Sequence, residues 1–147
     1  MNQELKTKKE QIVFGEDSVI IQKLEGTIKG GRAMDWTGVT EDVLYAGRII
    51  ITDGKGKYKP LKISSKTYDE LSNNAGFSYA GVLYRTIANG EAASIMIAGE
   101  VNKVAAKAAN GEADYPADFI TAFPKIALVS DEDANKFDES DTTLDKD

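Results

Sequence analysis

The sequence predicts a mainly β fold: strands with one or two short helices, in a small barrel or sandwich-like domain with an extended N-terminal arm and a disordered acidic C-terminal tail. Three observations carry this. The apolar runs are short and rich in β-branched residues, as in Arg48-Ile49-Ile50-Ile51-Thr52. Turn signals built on glycine and asparagine separate them. At 147 residues, with 41% hydrophobic and 29% charged residues, the chain has the size and balance of one domain with a real core. The expected division is an arm over residues 1–15, a β-rich domain over 16–131 and a flexible tail over 132–147.

The central element is the stretch 78–106. Its two apolar runs, 79–87 and 94–101, flank Ala88-Asn89-Gly90-Glu91, which reads as a β-hairpin turned at Asn-Gly. Gly81 and Gly99 lie near the outer ends of the two strands, where a bulge or a close backbone approach is expected.

Taken in order, residues 1–11 form a polar arm with Lys6, Lys8 and Lys9 clustered, followed by the apolar patch Ile12-Val13-Phe14. No apolar core follows the basic residues, so a secretory signal is not expected. Residues 18–28 read as a strand, with a second strand possible after Gly26. Lys29-Gly30-Gly31-Arg32 is a loop without the spacing of a phosphate loop. Asp35 suits a turn cap, and Trp36, the only Trp, reads as a core or subunit-interface anchor ahead of a ligand platform. Thr40, Glu41 and Asp42 suit the start of one helical turn over 41–45.

Residues 48–52 are the clearest strand, 53–57 a tight turn and 58–63 the return strand. Pro60, lacking an N–H, places that strand at an edge or takes it out of the ladder. Residues 65–71 suit a short helix. Residues 101–109 read as a helix stopped at Asn110-Gly111, or as a strand running to Val104. Pro116, Asp118 and the apolar face of Phe119, Ile120 and Phe123 predict a helix over 115–123, ended by Pro124; residues 125–129 form a last strand.

Several chemistries are excluded or unsupported. With no Cys and no His, disulfides, the usual zinc sites and Ser-His or Cys-His pairs cannot form. Net charge is −6, and residues 131–147, with eight acids and two lysines, account for all of it. The remainder is near neutral, which does not favour direct nucleic-acid binding. No apolar run reaches bilayer length, so no membrane partner is expected. Asp35, Glu41 and Asp42 read as surface and capping charges, and Asp131-Glu132-Asp133 lacks the pattern of a calcium loop. No enzyme, cofactor or metal is expected; a carboxylate-dependent hydrolase would need Asp35 and Asp42 to converge.

The order of segments GGRAMDWTG, VLYAGRIIITDGKGKYKPL, YAGVLYRTIANGEAASIMIAGEVNKVAA and ITAFPKIALVSDED resembles the head decoration, or auxiliary capsid, proteins of tailed bacteriophages. The nearest likeness is to crAss-like phages of Bacteroides, and more distantly to the lambda-type decoration protein. The elements concerned are Ala80-Gly81-Val82-Leu83 and Ala98-Gly99-Glu100-Val101-Asn102, and the likeness spans residues 18–133. The acidic tail has no counterpart. The resemblance implies a structural virion protein on the outer capsid surface, present in host cytoplasm during assembly and stabilising the shell as a homotrimer. Its partner would be the major capsid protein, contacted by the arm through Ile12, Val13 and Phe14. Trimer contacts would bury apolar residues such as Trp36 or Tyr45. The alternative is a head fibre or fibre anchor binding a host-surface glycan or protein, with Trp36, Tyr45, Tyr58 and Tyr79 exposed in a groove.

Overall fold

The computed structural model describes residues 18–28 and 30–130. The chain is mainly β, as its composition and patterning predict. After a single helical turn at Ser18–Ile20, ten strands follow: β1 (Ile21–Thr27), β2 (Val43–Leu44), β3 (Ile49–Thr52), β4 (Tyr58–Pro60), β5 (Ile63–Ser64), β6 (Thr67–Tyr68), β7 (Ser78–Leu83), β8 (Ile87–Ala88), β9 (Ile95–Asn102) and β10 (Ile126–Val129). Helix α1 (Lys103–Ala109) follows β9 directly, and α2 (Ala117–Ala122) precedes β10. Among the described residues no helix is long and apolar enough to cross a membrane.

The main sheet has the order β1-β9-β7-β3-β4, with β10 added in parallel to β9. All the other pairings in it are antiparallel. Two short ladders, β2–β8 and β5–β6, sit outside it.

The sheet separates two apolar cores, which explains the unbroken isoleucine run. Ile49 and Ile51 enter one core with Val82, Met96, Val101 and Phe119. Ile50 enters the other with Leu83, Ile95, Leu44 and Ala93. A strand buried on both faces needs apolar residues at every position rather than at alternate ones. The first core is covered by the helices; the second is covered by the segment 28–39, through Ile28, Met34, Trp36 and Val39.

Two glycines bring the strands together as closely as the sequence suggests. Gly81 and Gly99 both have φ of 148°. A Cβ would lie 2.4 Å from the Met96 carbonyl oxygen at Gly81, and 2.2 Å from that of Lys23 at Gly99. Only glycine admits such contact.

Five local expectations are corrected. The hairpin joining the central strands is not closed at Asn89-Gly90. Residues 84–94 intervene, and β8 leaves the sheet to pair with β2, so the Asn-Gly turn follows β8 instead. Residues 41–45 are not helical, because Val43–Leu44 pair with Ile87–Ala88 and Leu44 is fully buried. Asn89 holds this arrangement, its N–H donating to the Asp42 carbonyl and its Nδ2 to that of Glu41. Residues 65–71 are not a helix: Ser65 and Lys66 take φ of 51° and 64°, turning β5 into β6. The strand from residue 18 starts only at Ile21, and the return strand stops at Pro60, at one end of the sheet as predicted.

Beyond Asn102 the helix prevails over the strand. The Asn102 Oδ1 accepts from the N–H groups of Val104 and Ala105, both at 3.1 Å, ending β9 and capping α1 in one residue.

Candidate interaction surfaces

Trp36 belongs to the segment that closes the second core. That segment is tied to the sheet by backbone bonds. Arg32 and Ala93 exchange two at 2.8 Å, and the Asp35 N–H donates to the Tyr58 carbonyl at 2.7 Å. Asp35 caps the turn as expected, accepting from the Thr37 N–H at 3.0 Å. Hydrogen bonding from Thr37, its side chain first and then its N–H, holds the carboxyl below the usual range more than the charge of Lys57 does. Trp36 is half-buried against the core, and its Nε1, like the Arg32 Nε, is buried without a hydrogen-bond partner among the described residues. Tyr58 packs beside it, with the Arg32 guanidinium over its ring at 5.8 Å.

Tyr45 lies elsewhere. It lines a cavity of about 490 Å³ with Glu41, Arg48, Lys62 and Asn110, which does not include Trp36. The two residues expected to share an interface are therefore not brought together there. At this cavity Arg48 is buried, its Nε donating to the Leu61 carbonyl at 2.9 Å and its Nη1 to the Glu41 Oε2 at 2.8 Å. Burial pushes the Glu41 carboxyl up, but the Arg48 hydrogen bond and charge outweigh it and hold the pKa below its ordinary 4.5. Asn110, also buried, donates to the carbonyls of Ala46 and Ala106.

Behind this pair stands an aromatic wall. Tyr115 stacks between Tyr68 and Phe119, with ring centroids 6.1 and 5.5 Å away, and its hydroxyl donates to the Gly47 carbonyl at 2.6 Å. Burial pushes the Tyr68 hydroxyl up to about 12 and raises that of Tyr115. Tyr79 meets Phe119 edge to face, and its hydroxyl is raised by burial and by its hydrogen bond to Asp118. These hydroxyls are packing elements that stay protonated across the physiological range.

The acids singled out by sequence go to separate tasks. Asp35 serves its turn and lies 3.8 Å from Lys57, Glu41 pairs with Arg48, and the Asp42 backbone accepts from Asn89. Among the described residues no cluster of three or more metal-ligating side chains occurs.

Ile12, Val13 and Phe14 lie outside the described residues. Among the described residues, Val19, Ile20, Ala105, Ala108 and Ala109 line an apolar groove of about 290 Å³. Val19, in the first helical turn, and Val104, on α1, are 46% and 48% exposed. The sequence reading missed this surface. Its signal was the spacing of Val104 and Ala108, four residues apart on one helical face.

Comparison of the chain with protein families, with curated proteins and with solved structures finds no match.

Proposed function

We propose that this chain is a capsid decoration subunit of a tailed bacteriophage, a structural virion protein that binds the outside of the shell and clamps neighbouring major capsid protein subunits, as a homotrimer. The observation that carries the reading is the place of the two segments on which the resemblance rests. Residues 80–83 and 98–102 fall on β7 and β9, adjacent strands of the main sheet, with both glycines at points of closest backbone approach. The likeness thus concerns residues that define the fold rather than incidental surface composition. The polar groups described above are committed to capping, ion pairing and packing, which suits a part whose work is contact. Repetition of modest contacts within a trimer on a lattice supplies avidity.

The glycan-binding alternative is less well supported. Its four aromatic residues do not line one groove: Trp36 and Tyr58 pack against the second core, Tyr45 lines the Arg48 cavity, and Tyr79 packs against Phe119.

Co-sedimentation tests the reading. Purified chain mixed with shells lacking it is expected to sediment with them, to run as a trimer by light scattering, and to lose trypsin cleavage at Lys6, Lys8 and Lys9 once bound. A stable monomer that stays in the supernatant contradicts it.

A further inference from the structure

We propose that in the free protein the chain's own tripeptide Ile12-Val13-Phe14 seats in the groove between Val19 and α1. The described residues that line the groove are all apolar, and Val104 lies beside Ala108 on the exposed side of the helix. The chain that leads into it is the arm itself. Only residues 15–17 separate Phe14 from Ser18, so Phe14 lies within about 14 Å of Ser18 even when fully extended. Seven-residue α1 rises only about 10 Å, so the whole groove is in reach. Within residues 1–17 this tripeptide is the one apolar run; Leu5 stands alone among polar neighbours. The connecting residues include Glu16 and Asp17, opposite in sign to Lys103 on α1; Lys107 is paired with Asp114.

Size decides between the arm and a second copy of the chain. A stable association of two chains buries about 800 Å² on each partner, far beyond a groove to which the described residues contribute five side chains. A segment tethered by a few residues meets the groove at an effective concentration in the millimolar range, so a small apolar contact suffices. The arm is then stored on α1 until a competing surface takes it. This inference concerns the free chain and does not rest on the capsid reading.

The absence of native cysteine makes the test clean. In the full chain, Phe14→Cys is combined either with Ala108→Cys, in the groove, or with Lys107→Cys, one position away on the same exposed helix. Under mild oxidation the Ala108 pair is expected to close a disulfide within one chain about tenfold faster than the Lys107 pair, at a rate independent of protein concentration. Val13→Ser added to the Ala108 pair should remove most of that difference. Equal rates for the two pairs would mean an arm that does not seat, and cross-linked dimers in place of monomers would mean a second copy in the groove. Either result overturns the proposal.

Discussion

The two faces of the main sheet are finished in different ways. On one, the segment 28–39 is bound to β4 and to the residues before β9 by backbone hydrogen bonds, and lays Met34, Trp36 and Val39 over the core. On the other, two short helices and the entering chain cover a larger core but leave Val19, Val104 and Ile120 nearly half exposed. The first face is closed by backbone hydrogen bonds; the second is closed by apolar packing and by the side-chain bonds of Asn110 and Tyr115 to the Ala46 and Gly47 carbonyls, and leaves apolar side chains exposed. The difference leaves the exposed large apolar side chains Val19, Val104 and Ile120 on the helical side. The prominent Trp is not among them, because its burial is part of the fold.

The largest expected effect removes the sheet both faces share. Gly81→Ala and Gly99→Ala each force a methyl into a backbone carbonyl, in a backbone region L-residues avoid. Each should cost about 3–5 kcal/mol or prevent folding, read by urea denaturation. Loss of less than about 1 kcal/mol would mean that the strands do not meet so closely.

Next comes the ion pair beside the Tyr45 cavity. Arg48→Met orphans the Leu61 carbonyl and leaves Glu41 unpaired, for an expected loss of about 2–3 kcal/mol, less than for a fully buried pair because Glu41 is partly exposed. Glu41 has a folded pKa below its unfolded value. Its contribution is therefore present above the ordinary 4.5 and lost as pH falls through the lower folded value. Unfolding midpoints measured across that acid range should decline less steeply in Glu41→Gln than in the parent chain.

Trp36 and Val104 sharpen the contrast between the faces directly. Trp36→Ala should destabilise by about 2 kcal/mol, since it opens half-buried core. Trp36→Phe should cost clearly less, because it keeps much of the packing and removes the orphaned Nε1 donor. Val104→Ser should change stability by no more than about 0.5 kcal/mol. Equal costs at Trp36 and Val104 by calorimetry would erase the distinction.

Much of this architecture is legible in local chemistry. The isoleucine triplet announces a buried strand, Pro60 an end of the sheet, and Pro116 to Phe123 a short helix that buries Phe119, although Ile120, expected on the same apolar face, is 46% exposed. Gly81 and Gly99 mark close approach because their neighbours are apolar and strand-forming. What is not legible depends on partners distant in sequence. Glu41 looks like a helix start until Arg48 claims its carboxylate and Ile87–Ala88 pair with Val43–Leu44. Ser65-Lys66 carries no turn signal, since left-handed turns are normally marked by Asn or Gly. Asn102 did carry a signal: an N-cap before a run of alanines favours helix over strand. At the candidate surfaces, Trp36 as a core anchor could be read from residue type. The groove at α1 was signalled only on its helical side, by Val104 and Ala108; that Val19 and Ile20 would form its other wall depends on residues distant in sequence.

The most direct test of the decoration role is the copy number of this chain, relative to the major shell protein, in purified virions of its source. A decoration subunit is expected in a number comparable to that of the shell subunit. A number many times smaller would point to a fibre or vertex component, and absence from the particle would contradict the account.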